Sequence, residues 1–405
     1  MPYSAIGLQG PIGVQDNRNH IINGDFNIWQ RGVTAHYGMT GHTGQTRVHN
    51  MFNADRWRLY ISAVNGVTCN GIIASREPFD LGDPSGAENA SNWYMNLFIG
   101  GTGASAAYSG ADATQNYGGF SGAGATTNGS FAALIQDIED VKTLENKSAT
   151  VSFWAKSDIA GQRIAPVLIQ VTGGAGGGLI SGSTGGLGHT LDNTWRKYET
   201  SFTVPGLESD SLGTSGDNAL QLQLLFQAHA GRAGIGVTFE LGGVPGAGKT
   251  GNIKIAQVQL EQGTKVTEFD QKDRTVEIMQ CRRYFEKSYD LDVKPGSYIS
   301  GGLPSSATTN EDAKGYRTIP YMDNTTILPN MSFTVPKVKV PTCTIYHPFQ
   351  ENNENKFNYG SSSVGTASNI EASENTITKW TGPDINAQQV HYHYIANAEL
   401  NVTTI

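Results

Sequence analysis

The stretch from Ala219 to Phe226 reads ALQLQLLF, apolar and polar residues in near-strict alternation. A period of two puts Leu220, Leu222 and Leu224 on one side of an extended chain and Gln221 and Gln223 on the other. The segment is therefore a strand with one face in a core and the other face wet or against a partner. The same period runs through Ala149 to Ala155 (ATVSFWA), Tyr198 to Val204 (YETSFTV) and Asn252 to Leu260 (NIKIAQVQL). From His20 to about Asp270 such runs alternate with Gly, Asn, Asp and Ser clusters, the pattern of a many-stranded sandwich. Composition agrees: 50 of 405 residues are glycine and only 16% are charged, which excludes a long-helix or coiled-coil chain. Glycine without a three-residue period excludes collagen, and 9% aromatic residues argue against disorder.

The formal net charge of −8 has the wrong sign for holding polyphosphate by bulk electrostatics, so nucleic acid is not expected as a partner. No stretch approaches the roughly 18 apolar residues of a membrane span, so no membrane insertion is expected, and the opening lacks the pattern of an export signal. Cys69, Cys281 and Cys343 are odd in number and far apart, which fits neither a disulfide framework nor a cysteine-rich zinc site. Folding in a reducing compartment, the cytoplasm of the cell that makes the protein, is expected.

Residues 1–18 carry Gly7, Gly10, Pro11 and Gly13 with no periodicity, and read as an extended anchoring arm. Glycine-rich stretches at Gly100 to about Gly129 and Gly173 to Gly188 read as long loops, which inside a compact domain are usually either functional or disordered. DRTVEIMQCRRYFEKS, Asp273 to Ser288, is the one convincing helix, with Asp273 as its N-cap. Val276, Met279 and Arg283 form one stripe of it, and Ile278, Cys281 and Phe285 another. Beyond Tyr289 the strand pattern resumes at Met331 to Val335, Cys343 to Tyr346 and Val390 to Ile395. The expected organisation is all-β: an arm (1–18), an N-terminal sandwich (19–270), one connecting helix (271–288) and a smaller C-terminal β-sandwich (289–405).

Gly243 to Thr250 (GVPGAGKT) matches the phosphate-cradling pattern G-x-x-x-x-G-K-[ST]. That loop works by opening a helix whose first amides hold phosphate, and here Gly251, Asn252 and an alternating strand follow instead. A hairpin loop is expected. His36, His42 and His49 share a polar stretch and His391 and His393 share a strand face, but Tyr392 and Tyr394 interleave the latter pair as packing partners, and a structural role is expected. The grouped carboxylates Asp137, Glu139 and Asp140, and Asp80 with Asp83, read as solvated surface, and no catalytic site is assigned.

Aromatic rings that stack on sugar faces are the stronger lead. Trp93 and Tyr94 border the first glycine-rich stretch, and Tyr108, Tyr117 and Phe120 lie inside it among Asn, Asp and Gln. These five are the candidate carbohydrate-binding residues, the alternative being rings that anchor a long loop. Tryptophans set in strands, Trp154 beside Phe153 above all, are expected in the core.

IINGDFNIWQRG (Ile21 to Gly32), NADRWRL (Asn53 to Leu59), VSFWAKS (Val151 to Ser157), TWRKYETSFTVP (Thr194 to Pro205) and VQLEQGTKVTEFDQKDRTVEIMQCRRYFEKSY (Val258 to Tyr289) together resemble bacteriophage tail fibre and receptor-binding proteins. HYHYIANAEL, His391 to Leu400, resembles that family's usual ending. The resemblance implies a jelly-roll domain like a carbohydrate-binding module, a connecting helix and a small β-domain. It also implies a non-enzymatic virion protein, often a homotrimer, that binds glycan or protein on the bacterial surface. Phe285 and Tyr289 around the connector would be buried in the oligomer interface, and residues 1–18 would engage another virion protein. Such modules often hold calcium, and Asn23 and Asp25 match the first part of that site, although Ala256 and Gln257 stand where the closing strand usually offers aspartate. No other cofactor is implied. Two other readings stay open, a head fibre or cement protein without receptor binding and a depolymerase acting through a carboxylate such as Asp137 or Glu139.

Overall fold

The computed structural model describes residues 18–37, 47–63, 72–80, 91–99, 131–173, 177–180, 188–208, 210–213, 218–228, 251–298, 315–322, 325–351, 353–360, 363–386 and 388–400. The candidates Tyr108, Tyr117 and Phe120, the GVPGAGKT segment, His42, Cys69 and residues 1–17 of the arm lie outside them. The strands before the helix are β1 (Thr34–Tyr37), β2 (Arg47–Phe52), β3 (Arg58–Ala63), β4 (Ile72–Pro78), β5 (Trp93–Ile99), β6 (Phe131–Glu139), β7 (Ser148–Ser157), β8 (Arg163–Val171), β9 (Gly177–Ile180), β10 (His189–Thr190), β11 (Arg196–Thr203), β12 (Ala219–Ala228) and β13 (Gly251–Gln262). They pair antiparallel into two sheets, ordered β1-β4-β5-β13-β7-β11 and β10-β8-β12-β6-β3-β2, with β9 on the free side of β8.

The sheets face one another as a jelly-roll-like sandwich. Leu220, Leu222 and Leu224 of one sheet and Val151, Phe153, Ile253 and Ile255 of the other meet in a single core. Trp154 is not in it. Strand alternation cannot send adjacent residues the same way, so Phe153 points in and Trp154 stays partly exposed on the outer face. Gln221 and Gln223 point away from the core as their period requires, yet both are 0% exposed. Gln221 donates to Asp137, which Arg58 also reaches at 3.0 Å, and Gln223 donates to Gln221. This face is not a wet surface: the polar network is enclosed together with a second apolar cluster that includes Tyr60, Ile135, Val167 and Ile169.

The IINGDFN string closes one end of the sandwich. Asn23 and Phe26 adopt positive φ angles of 58° and 56°, which turns Phe26 under Trp57 with ring centroids 5.4 Å apart. Gly24 accepts from the Val258 amide at 2.8 Å, beside the bulge where β13 slips register between Ala256 and Gln259. A Cβ on Gly24 would lie 2.1 Å from the Val258 carbonyl oxygen. Gly24→Ala is therefore expected to cost about 1–3 kcal/mol, the ordinary penalty of overpacking, measured as a lower denaturant midpoint.

The helix α1 (Arg274–Arg282) opens on Asp273, whose side chain accepts from the Thr275 and Val276 amides. It is shorter than the expected 271–288 because the chain leaves it for β14 (Phe285–Lys287), whose backbone pairs with β22 (Gln388–Asn397). Between them lie β15 (Arg317–Met322), β16 (Thr326–Ile327), β17 (Thr342–Tyr346), β18 (Lys356–Tyr359), β19 (Ser363–Thr366), β20 (Ser368–Ala372) and β21 (Ile377–Thr381). A sheet organised on β22 packs with the three-stranded sheet β16-β21-β20 around Trp380, Tyr392 and Phe357. Met331 to Val335 is not a strand. Phe333 enters that core, but the Thr334 amide is taken by the Glu286 carboxylate at 3.0 Å, and Pro336 can offer no ladder donor.

Cys281 and Cys343 are free thiols. His391 and His393 are packing residues. Each Nδ1 lies 2.9 Å from a hydroxyl, that of Thr318 or Ser288, and Tyr289 stacks on His393 at 3.7 Å. Burial pushes the His347 imidazole down to about 4 and lowers His391 as well. The His347 imidazole is therefore neutral in the folded chain at pH 7 and titrates near 6.5 once unfolded. Its contribution to stability is full above about pH 6.5 and is lost as pH falls toward 4. Calorimetry between pH 7 and 4 should show the melting temperature falling, with a shallower slope for His347→Gln.

Candidate functional site

The outer face of the first sheet is where the alternating strands expose rings. In β5 the residues Met95, Leu97 and Ile99 are buried while Tyr94, Asn96 and Phe98 are partly exposed. The same alternation turns Lys254 outward from β13 and Trp154 and Lys156 outward from β7. Register places Lys254 opposite Asn96 on one side and opposite Lys156 on the other. Phe79, just past β4, and Trp195, just before β11, lean over this face. Their rings and that of Tyr94 form a triangle with centroids 5.1 Å (Phe79–Tyr94), 5.2 Å (Phe79–Trp195) and 5.3 Å (Tyr94–Trp195) apart.

Two lysines flank the cluster. Lys156 Nζ lies 5.0 Å from the Trp195 centroid and Lys254 Nζ 5.2 Å from that of Tyr94. Lys254 also approaches the Tyr94 hydroxyl at 3.3 Å. Such contacts hold flexible lysines in place at about 0.5–1 kcal/mol each. On the flank near Trp195 opens a cleft of about 570 Å³ between the β7–β8 turn and the start of β11, with Asp158, Asp192, Asn193, Arg196 and Tyr198 on its walls. The Arg196 guanidinium, 2.7 Å from Asp192, holds that carboxyl below its usual range, and Asp158 accepts from both nitrogens of Asn252.

Of the five carbohydrate candidates, Tyr94 lies on this face, whereas Trp93, its neighbour in β5, is turned to the other side of the strand, where the Arg76 guanidinium lies 4.6 Å from its ring centroid. Phe79, Trp195, Lys156 and Lys254 come from other strands and were not singled out, since only the strand register brings them together.

The calcium candidates Asn23 and Asp25 do not form a hard-cation site. Asn23 donates to the carbonyls of Ile28 and Asp55, and its Oδ1 accepts from the Ile28 amide at 3.0 Å. Asp25 accepts from the Asn27 amide and side chain and lies beside Glu277. Burial raises Asp25 to about 6 and, with the Asp25 charge, raises Glu277 to about 8. The ammonium of Lys272 stands nearby, and among the described residues no group of three acidic, histidine or cysteine side chains is placed to hold a cation.

Phe285 and Tyr289 are also placed differently from the expectation. They are 2% and 4% exposed in a single chain, so their rings are not open to a partner. Phe285 lies under the Arg31 guanidinium at 3.7 Å, in the joint between the two β-units. There Arg56, 1% exposed, pairs with Glu399 and donates to the Asp137 carbonyl, its guanidinium 3.4 Å from the Tyr284 ring. Arg31 reaches Glu399 at 3.3 Å, and Gln30 donates to the Phe285 carbonyl at 2.8 Å. Glu139 accepts from Arg283 and Tyr284. Glu399→Gln would leave Arg56 buried without a countercharge, and equilibrium unfolding should show a loss of about 3–5 kcal/mol. Arg56→Met with Glu399→Leu should recover most of it.

No protein-family model and no curated protein matches the chain. Solved structures similar to it include a family 11 carbohydrate-binding module of a cellulosomal cellulase from Clostridium thermocellum, 14% identical, covering 56% of this chain and 100% of that module at a TM-score of 0.26. A xylan-binding domain from Paenibacillus barcinonensis is 7% identical, with coverage of 56% and 100% and a TM-score of 0.26. The N-terminal cellulose-binding domain of a glucanase from Cellulomonas fimi is 12% identical, with coverage of 43% and 80% and a TM-score of 0.23. At these values the ligand has to be argued from this chain's own residues.

Proposed function

We propose that this protein is a non-enzymatic glycan-recognition component of a bacteriophage virion, in a tail fibre or tail tip, that attaches to the bacterial surface. The observation that carries the glycan part is the pair of partly exposed rings Phe79 and Tyr94, braced by the buried Trp195, on an outward sheet face next to an open polar cleft. Flat rings offer a sugar ring its apolar face while the polar rim bonds hydroxyls.

The non-enzymatic part is supported by where the depolymerase candidates lie. Asp137 is buried against Arg58 and Gln221. Glu139 is held ionised below its usual range, first by Arg283 and also by Tyr284, the opposite of a general acid. The virion part rests on the resemblance of the scattered strings, and with it a homotrimer and docking of residues 1–18 on another virion protein. In such a trimer the available surface of the connector is the apolar groove of Val276, Met279, Val335 and Pro336, since Phe285 and Tyr289 are enclosed.

The test is binding of fluorescently tagged protein to intact host cells, with extracted surface polysaccharide as competitor. Saturable binding abolished by the polysaccharide is expected. Tyr94→Ala and Phe79→Ala should each weaken it about tenfold, equivalent to about 1.4 kcal/mol, at unchanged melting temperature. Absence of cell binding by correctly folded protein would reject the reading in favour of a head fibre or cement protein.

A further inference from the structure

The turn that follows β17 in the C-terminal unit holds a histidine whose surroundings leave no place for a second proton. His347 is 3% exposed. The Phe349 amide donates to its Nδ1 at 3.1 Å, so that nitrogen is an acceptor and the ring's one proton sits on Nε2, which is buried with no hydrogen-bond partner. Charging the ring would put a proton on Nδ1, where the amide hydrogen already points. The turn would lose that bond, and two donors would stand buried and unmet.

The groups packed against His347 do not offset such a charge. Lys356 of β18 and His391 of β22 face it from the neighbouring strands, and both add to the effect of burial in opposing a positive ring. The Phe349 ring fills the space between, its centroid 5.9 Å from His347, 6.0 Å from His391 and 5.2 Å from Tyr316. On the same stretch of chain, Glu351 accepts from the Tyr298 hydroxyl at 2.7 Å and Glu354 is exposed. Among the described residues, no ion pair joins His347 to a carboxylate.

This turn also fastens a second stretch of chain. The His347 amide donates to the Asn353 carbonyl at 3.0 Å, and the Asn353 side chain donates to the carbonyls of His347 at 2.8 Å and Gly296 at 3.1 Å. The Gly296 amide in turn donates to the Tyr289 hydroxyl at 3.2 Å. His347, Asn353 and Gly296 form one clasp, closed around a neutral imidazole.

We infer that this clasp is an acid-sensitive switch: uptake of a proton by His347 opens the His347–Phe349 turn and releases the chain at Gly296 while the sandwich stays folded. Linkage sets the direction. Burial pushes the closed imidazole down to about 4 from 6.5, so the closed state is fully favoured above about pH 6.5 and loses ground as pH falls toward 4. Between pH 7 and 5 a shift of that size raises the open population about twentyfold.

The experiment is hydrogen exchange of the whole chain at pH 7, 6 and 5, read by mass spectrometry and expressed as protection relative to the intrinsic rate at each pH. Peptides covering Ile345 to Gln350 and Val293 to Tyr298 should together lose about tenfold or more of their protection between pH 7 and 5, while those of β7 and β13 keep theirs. In His347→Asn the side-chain oxygen can accept from the amide two residues on and takes up no proton, so the turn should stay protected throughout. Lys356→Gln removes a cation that faces the ring and should show a smaller drop than the parent chain, which keeps the test available if His347→Asn does not fold. Protection of the turn that is flat from pH 7 to 5 would overturn the switch, as would a drop that persists in His347→Asn or is undiminished in Lys356→Gln. An equal loss in β7 and β13 would also overturn it, since that marks acid unfolding of the whole chain.

Discussion

The Arg56–Glu399 pair is the interaction on which the arrangement of the two β-units depends. A guanidinium removed from water costs several kcal/mol unless its charge and its donors are met. Arg56 meets them with the Glu399 carboxylate, the Asp137 carbonyl and the face of Tyr284, from three distant stretches of chain. Arg56 itself takes a positive φ of 70°, a strain that persists where surroundings over-determine a residue. Arg31, Asp55 and Gln30 extend the network, so the end of the last strand becomes part of the base of the sandwich.

This joint gathers four of the six recognisable strings of the sequence, while the other two, Val151 to Ser157 and Thr194 to Pro205, carry Trp154, Lys156 and Trp195 of the candidate ligand surface. The segments at Ile21 to Gly32, Asn53 to Leu59, Val258 to Tyr289 and His391 to Leu400 meet at one end of the sandwich. Their polar residues, Asn23, Gln30, Asp55, Arg56 and Glu399, are buried. The second sheet is likewise closed on its outer side by the Arg58–Asp137–Gln221–Gln223 network. The outer face of the first sheet is left with partly exposed rings and cations, and that asymmetry selects it as the place for an extended ligand.

Much of the fold was legible because its signals are local. The period-2 segments became β7, β11, β12 and β13, and Asp273 capped α1 because an N-cap needs only its own next three residues. Met331 to Val335 has strand composition but no strand, since Glu286 and Asn375 take its amides from outside. Phe285 read as part of a helical stripe, and pairing with Asn397 drew it into a strand instead. In the site, Tyr94 could be named from adjacent polar sequence, its neighbour Trp93 was sent to the other side of β5 by strand alternation, and Phe79, Lys156, Trp195 and Lys254 had no local signal.

By itself, the sequence determined the class of fold, the alternation that decides which residues of a strand leave together, and the helix start. Those follow from backbone geometry and nearest neighbours. The tertiary structure alone decided that Gln221 and Gln223 would be enclosed, that Phe285 and Tyr289 would be buried within one chain, and that two lysines would share a face with three rings. Each of these depends on strand order and register, and a shift of one residue in register would turn every one of those side chains to the other face.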